Sequence, residues 1–337
     1  MTTTAPSRTH AIRFHDPGGP DVLRWEEVEL PPPAKGELHI RHTAVGLNFI
    51  DTYHRTGLYP VPRPSGLGSE GAGVIEAIGE GVPASYGFSI GDRVAYATGA
   101  IGSYAEARNL DASNVVKVPG EVDDRVAAAA MLKGMTAWYL AKKTYPIGGR
   151  GERDTVLVHA AAGGVGLVLC QWAKHLGATV IGTVGSEEKA ALARANGCDH
   201  VILYRSEDVV ARVREITSGA MLPVVYDSVG KDTFMTSLAC LRPRGLAVTF
   251  GQSSGAIPPF DPRVLAQKGS LFLTRPTLYD YVRQRAELEE AARDLFGVIA
   301  SGVVKMHVAQ TYPLREAARA HADLEARKTT GSTILVP

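Results

Sequence analysis

His159-Ala160-Ala161-Ala162-Gly163-Gly164-Val165-Gly166 is the stretch on which the fold turns. Before it lies Thr155–Ala160, which reads as a buried parallel strand. After it lies a helix from Val165 to Leu176, stopped by Gly177. Small residues between a strand end and a helix start are what a dinucleotide's pyrophosphate requires. Gly163 and Gly164 let the backbone turn tightly and approach the phosphates, and Gly166 lets the helix pack close to the strand. The helix N-terminus then offers free N–H groups and the positive end of its dipole. Ala161 stands at the first position of the G-x-G-x-x-G pattern, a mild departure. The residues alone also describe an ordinary tight turn; the strand before and the helix after favour the nucleotide.

Downstream, strands and helices alternate. Strands are expected at Thr179–Thr183, His200–Leu203, Val224–Tyr226, Leu246–Phe250 and Ser270–Thr274. Helices are expected at Glu187–Asn196, Asp208–Thr217 and Thr233–Leu241. This rhythm predicts an α/β fold with a doubly wound parallel sheet of Rossmann type. The region upstream is different. Short strand-like runs at Ala11–Phe14, Leu38–Val45, Gly73–Ile78, Arg93–Ala97 and Val115–Val118 carry internal glycines, which suggests a curled, barrel-like sheet. In the tail, Leu288, Ala291, Ala292, Leu295, Phe296 and Ile299 form one apolar helical stripe closed by Gly302. A strand near Val303–Val308, a helix near Arg315–Ala326 and a strand at Thr333–Val336 follow. These pieces are too few for a third domain and are expected to rejoin the first. The resulting division is a β-rich domain over 1–124, a nucleotide domain over 125–272 and a return to the first over 273–337.

Bulk properties agree with two domains. The chain has 337 residues, too many for one hydrophobic core. Its formal net charge of +1 gives no field that would favour nucleic acid or an anionic membrane. MTTTAPSRTH has no apolar segment of a secretory leader, and no run reaches the roughly 18 apolar residues of a membrane span, so the expected location is the cytoplasm. Cys170, Cys198 and Cys240 form neither a disulfide framework nor a C-x-x-C metal knuckle, and read as small buried residues.

The second strand of the alternating half decides between the two nicotinamide cofactors. An NAD site has an acidic residue about 20 residues after the glycines, where it holds the ribose hydroxyls. Here the strand tip is Gly185-Ser186, with no carboxylate, and Lys189 follows one turn later. A hydroxyl and an ammonium suit a 2′-phosphate, so NADPH is expected. Glu187 and Glu188 oppose this, yet a helix start also favours acidic residues for its own sake.

Several longer stretches carry a family resemblance. They are Gly46-Leu47-Asn48-Phe49-Ile50-Asp51-Thr52-Tyr53, Gly66-Leu67-Gly68-Ser69-Glu70-Gly71-Ala72-Gly73 and Gly91-Asp92-Arg93-Val94. With the glycine turn go Gln171 and Lys174, then Tyr226-Asp227-Ser228-Val229-Gly230, Phe250-Gly251-Gln252-Ser253-Ser254-Gly255 and Thr274-Arg275-Pro276. Across the whole chain they resemble the medium-chain dehydrogenase/reductase superfamily, and within it the zinc-free, ζ-crystallin-like quinone oxidoreductases. The resemblance implies a GroES-like catalytic domain, NADPH as cofactor, a quinone-like acceptor reduced in an interdomain cleft, and a homodimer formed by the edge strand near Ser270–Thr274. Zinc-dependent relatives have Cys and His where this chain has Asn48 and Ser69, both poor zinc ligands, and no metal is expected. Without a Lewis acid, the suitable substrate is one already electrophilic, a quinone or an enone, whose charge after hydride addition is delocalised.

By the same resemblance Asn48, Asp51, Tyr53 and Tyr59 lie near substrate. Tyr53 and Tyr59 either stack on a planar quinone and offer a phenol hydrogen bond or simply pack their loop. Asn48 is expected to donate an amide N–H to a developing oxyanion, while Asp51 either acts there or caps its loop. Phe49 and Tyr139 are placed near the cofactor. Ser186, Lys189, Tyr204 and Arg327 are assigned to the 2′-phosphate and adenine end; Arg327 is equally well explained as a helix-end arginine. Gly185, Ser228, Phe250, Gly251, Gln252, Ser253, Thr274, Arg275 and Pro276 lie at strand ends, where α/β sheets bind ligands. Two alternatives remain: a zinc-free enone, alkenal or enoyl-thioester reductase, and a nucleotide-dependent nucleic-acid-binding protein, against which the near-neutral charge argues.

Overall fold

A computed structural model describes residues 7–149 and 154–337. Residues 1–6, the start of the stretch examined for a leader, lie outside the described part. The chain forms two compact units. One holds the described residues up to Lys133 with Arg283–Ala300 and Met306–Pro337; the other holds Gly134–Val282 and Ser301–Lys305. The tail helix and the final strand therefore belong to the first unit.

In chain order the first unit begins β1 (Ser7–Phe14), β2 (Arg24–Leu30), β3 (Glu37–Leu47), α1 (Phe49–Arg55), β4 (Ser65–Gly66), β5 (Glu70–Ile78), β6 (Arg93–Tyr96), β7 (Ala107–Asp111) and β8 (Val115–Lys117), and α2 (Asp124–Tyr139) runs on from it, its residues from Gly134 belonging to the second unit. The second unit supplies β9 (Thr155–Val158), α3 (Gly164–His175), β10 (Thr179–Val184), α4 (Glu187–Ala195), β11 (His200–Leu203), α5 (Val209–Ile216), β12 (Leu222–Asp227), α6 (Phe234–Ala239), β13 (Leu241–Thr249), α7 (Arg263–Gln267), β14 (Phe272–Thr274) and α8 (Leu278–Tyr281). The tail adds α9 (Arg285–Ala300), β15 (Val308–Pro313), α10 (Ala317–Glu325) and β16 (Ser332–Val336).

The second unit is a six-stranded sheet in the order β11-β10-β9-β12-β13-β14, parallel throughout. Every residue of β12 is buried, as a strand covered on both faces requires. Leu157, Ile181, Ile202 and Val225 fill the core on one side, with Val213 and Leu238 from the helices packed on them. The strand order reverses beside β9, which creates the position outside the carboxyl ends where such sheets bind ligands.

The first unit carries a seven-stranded sheet, with β15-β16-β3-β5-β6-β8 in line and β7 paired to β3, and a three-stranded sheet β2-β1-β4. β2, β4 and β7 escape the sequence reading. In β2, Arg-Trp-Glu-Glu-Val-Glu-Leu, all seven residues are exposed or half-exposed, so apolar periodicity is absent. The tail needs a correction. The strand expected near Val303–Val308 is instead β15, over Val308–Pro313, parallel to β16. Lys305 cannot join a ladder because the Gln171 amide takes both its backbone groups, at 2.8 Å to its N–H and 3.2 Å to its C=O.

All three cysteines are free and buried. Separation along the chain conceals that Cys170 and Cys198 meet, with their sulfurs 3.4 Å apart. Among the described residues no helix is long and apolar enough to cross a membrane.

Candidate functional site

In the first unit the site residues gather where β3 runs into α1. Asn48 occupies the helix N-cap, and its backbone N–H donates to Asp51 Oδ2 at 2.9 Å. An acidic side chain three residues into the helix satisfies a terminal donor and complements the dipole. Phe49, Tyr53 and Tyr59 are half-buried. Tyr53 meets Tyr59 edge-on at 5.3 Å and Phe49 at 5.6 Å. The two tyrosines thus pack on each other and keep partial access to solvent.

Asn48 is held more tightly than sequence reasoning foresees. Its Nδ2 donates to Glu70 Oε1 at 2.8 Å, and this carboxylate is fully buried. The same oxygen takes Lys133 Nζ at 2.8 Å, while Oε2 takes the Leu132 N–H at 2.6 Å. Lys133 Nζ also donates to the Leu47 carbonyl at 3.1 Å. A carboxylate only accepts, so Glu70 fixes which end of the Asn48 amide is nitrogen. One of its two side-chain N–H groups is thereby committed to Glu70. Gly46 is needed beneath: a Cβ there would stand 2.2 Å from Glu70 Oε1 and 2.5 Å from the Ala128 carbonyl oxygen.

Asp51 is also fully buried. Its Oδ2 accepts from Tyr104 Oη at 2.8 Å in addition to the Asn48 N–H, and its Oδ1 has no partner. Burial pushes its carboxyl up from 3.8 to about 7, against the two donors, which favour the carboxylate; the Glu70 charge raises it further and the Lys133 charge lowers it. Tyr104 Oη lies 3.2 Å from His321 Nε2, and His321 Nδ1 lies 3.0 Å from Arg55 Nη1. Arg55 completes its bonds to the Gly18 carbonyl at 3.0 Å and to Glu325 at 2.8 Å. Burial and then the Arg55 charge hold His321 down at about 3. No sequence pattern marks Tyr104 or Arg55; the signal for His321 is a histidine on the buried Ala317–Ala320 face of α10.

In the second unit the glycine turn has the form that phosphates need. Gly163 caps α3 without a side-chain bond, so the first-turn N–H groups face outward from the sheet end. A Cβ on Gly166 would stand 2.3 Å from the Ala160 carbonyl oxygen, which is why the helix can seat there only with glycine. Ser186 caps α4, its Oγ accepting the Lys189 N–H at 3.4 Å. At Gly185 a Cβ would meet the Tyr204 hydroxyl at 2.7 Å and Arg205 Nε at 3.4 Å. Tyr204 and Arg205 therefore reach over the tip of β10. Arg205 was not foreseen; it is an exposed arginine in a polar loop, with no pattern to single it out.

The remaining strand-end residues also converge. Gly251 packs on Ser228, where a Cβ would come within 2.5 Å of the Ser228 carbonyl oxygen. The Ser253 N–H donates to that carbonyl at 3.3 Å, and the Phe250 N–H to the Asp227 carbonyl at 2.9 Å. Asp227, fully buried, takes the Val229 N–H at 2.8 Å and Ser237 Oγ at 2.7 Å and so braces the loop. Arg275 donates to the Gly251 carbonyl at 3.4 Å and to Gln252 Oε1 at 3.2 Å; Thr274 ends β14 and Pro276 follows. Tyr139 is buried and stacked on Tyr281 at 4.5 Å, and burial raises its phenol well above the usual range. Arg327 sits in the first unit, in the left-handed conformation just past α10 (φ 58°). Among the described residues no group of three or more His, Cys, Asp or Glu side chains is placed to hold a metal ion.

Two family models match: the alcohol dehydrogenase GroES-like domain over residues 34–120, and the zinc-binding dehydrogenase over 164–296, a span that excludes positions 48 and 69. That pairing, with the parallel sheet and its glycine turn, defines a medium-chain dehydrogenase/reductase. A quinone oxidoreductase of Pseudomonas aeruginosa is 52% identical over 327 residues, 97% of this chain and 99% of that protein. The structure of Escherichia coli quinone oxidoreductase complexed with NADPH superposes with a TM-score of 0.94 at 50% identity, covering 97% of this chain and all of that one. A 2-haloacrylate reductase of Burkholderia is 46% identical over 97% of this chain and 98% of its own length. The chain belongs to the quinone oxidoreductase family.

Proposed function

We propose that the chain is a zinc-independent NADPH:quinone oxidoreductase. The observation that carries this is the tip of β10: Gly185 lies beneath the Tyr204 hydroxyl and Arg205, and neither it nor Ser186 supplies a carboxylate, in a chain half identical to a protein solved with NADPH. The residues fit the dinucleotide, because glycine at 166 lets α3 start against the Ala160–Ala161 backbone, where a Cβ would stand 2.3 Å from the Ala160 carbonyl oxygen, and so brings its first-turn N–H groups to the strand end. Gly163, Gly164, Val165 and Gly166 hold the pyrophosphate. Ser186, Lys189 and Tyr204 hold the 2′-phosphate and adenine. Ser228, Phe250–Ser253 and Thr274–Pro276 line the strand ends, with Tyr139 in the same unit on the nicotinamide side. When bound, NADPH supplies a hydride.

The chain's own residues do the rest. Tyr53 and Tyr59 present ring faces and phenol groups to a planar acceptor. Asn48, its amide fixed by Glu70, donates its second N–H to the oxygen on which charge develops. A quinone delocalises that charge, so a hydrogen-bond donor and a solvent proton complete the reduction. The test is NADPH and NADH oxidation with benzoquinone, naphthoquinone, alkenals and 2-haloacrylate. Quinones with NADPH turn over fastest on this reading. Much faster turnover of an alkenal or haloacrylate replaces it with activated-alkene reduction, which the 2-haloacrylate reductase likeness favours.

A homodimer is part of the proposal. β14 is an edge strand whose Phe272 is 62% exposed, a large apolar side chain on unpaired backbone. Light scattering that gives the mass of one chain would refute it. Three free cysteines suit the cytoplasm, where we place the enzyme.

A further inference from the structure

We propose that Arg55, His321 and Tyr104 are positioning residues that impose one proton arrangement on Asp51, with Oδ2 always the acceptor and any proton confined to Oδ1. The inference rests on the reading that Asn48 and Asp51 belong to the substrate site.

The order of donors follows from chemistry alone. A guanidinium has donors only, so at 3.0 Å from Arg55 the His321 Nδ1 must accept. The ring therefore carries its hydrogen on Nε2 and gives it to Tyr104 Oη, 3.2 Å away. Tyr104 has one hydrogen, and its remaining neighbour is Asp51 Oδ2 at 2.8 Å. That oxygen also takes the Asn48 N–H, so two donors occupy it and neither can turn away. The partnerless Oδ1 is left as the one place for a proton. Arg55 is itself pinned by Glu325, so the row of donors is fixed at its outer end.

The consequence is a carboxyl that changes charge without releasing the Asn48 backbone. Protonation at Oδ1 leaves the Oδ2 bonds in place, so the N-cap of α1 holds in both states. The groups that act on Asp51 are the Tyr104 hydroxyl, the Asn48 N–H and the charges of Glu70 and Lys133; those on His321 are Arg55 and Tyr104. Burial already raises the Asp51 ionisation into the neutral range, where both forms are populated.

Two measurements on the free protein test this without any substrate. Nitrogen-15 NMR of the histidine rings, with His321 assigned through His321→Gln, reads the tautomer. A neutral ring protonated on Nε2 is expected; a hydrogen on Nδ1 overturns the proposal. Infrared titration, with the Asp51 carboxyl band identified by its loss in Asp51→Asn, reads the charge. Tyr104→Phe removes one donor to the carboxylate, and the midpoint is expected to rise by about one pH unit, a tenfold change in the ionisation constant. An unchanged midpoint in folded Tyr104→Phe also overturns it, since a residue that merely packs would lower stability and leave the midpoint alone. In turnover, the acidic limb of kcat/KM moves with the infrared midpoint. If the protein lacks quinone reductase activity while the tautomer and midpoint behave as stated, the relay stands and the functional reading falls.

Discussion

Lys133→Met keeps the length of the side chain and removes its charge, which strands Glu70 in the protein interior. Glu70 is 0% exposed and the Lys133 side chain 8%, so water cannot replace the lost ammonium. Breaking a buried pair by deleting one partner costs about 3–5 kcal/mol. Glu70 keeps two other donors, Asn48 Nδ2 at 2.8 Å and the Leu132 N–H at 2.6 Å, and methionine fills most of the vacated volume. Both facts place the expected loss at the lower end, about 3 kcal/mol, or roughly 150-fold in the folding equilibrium. Urea unfolding followed by tryptophan fluorescence measures it. The double variant Lys133→Met/Glu70→Gln removes the stranded charge as well and is expected to regain more than about 1 kcal/mol, because a neutral amide costs less to bury than a lone carboxylate. A loss below about 1 kcal/mol for the single variant, or no recovery in the double, refutes the account of Glu70 as a charge that depends on Lys133.

Other outcomes follow from the two units separately. Lys189→Ala and Arg205→Ala are each expected to raise the KM for NADPH about tenfold and leave that for NADH nearly unchanged, as loss of a charge-assisted bond to one phosphate implies; equal effects on both cofactors would remove these residues from the 2′-phosphate. For Asp51 the folded value of about 7 lies above the ordinary 3.8, so the native state binds the extra proton and wild-type stability falls as pH rises between those values. Asp51→Asn does not titrate, so its stability relative to wild type should climb from about pH 4 to about pH 7, by at most about 4 kcal/mol, and then level off; thermal melts across that range check it. Phe272→Glu places a charge on the edge of β14 and should yield monomers by light scattering with the sheet intact by circular dichroism.

The parts legible in the sequence were those whose cause is local. A glycine turn between a buried strand and a helix is a short-range demand on backbone conformation, and the missing acid at Gly185-Ser186 is a matter of composition. What escaped has distant partners or no pattern. Tyr104 meets a histidine 217 residues further on, and Arg55 meets the same ring across 266 residues. Lys133 stands in an alanine-rich helix and gains meaning only beside Glu70, 63 residues earlier. β2 hid behind its charged residues, and the tail strand was displaced because a glutamine side chain, not a neighbouring strand, takes the backbone of Lys305. The hydrogen bond that commits one Asn48 N–H to Glu70, 22 residues away, was equally invisible.

Asn48 is the point where the two buried networks meet. Its side chain is fixed by Glu70 and Lys133 and its backbone by Asp51, Tyr104 and His321; apart from Asn48 the two sets share no hydrogen-bonded residue, although the Glu70 and Lys133 charges also act on Asp51. A hydrogen bond to a developing oxyanion needs the amide in both place and direction, because its strength falls steeply with distance and angle. Freeing the backbone alone moves the amide; freeing the side chain alone turns it. Either loss removes most of the benefit, so the effects on kcat should not multiply. Lys133→Met and Tyr104→Phe are each expected to lower kcat about tenfold, and the double variant by well under a hundredfold. A full hundredfold loss in the double would mean that the two networks act through different groups and that Asn48 is not their common target.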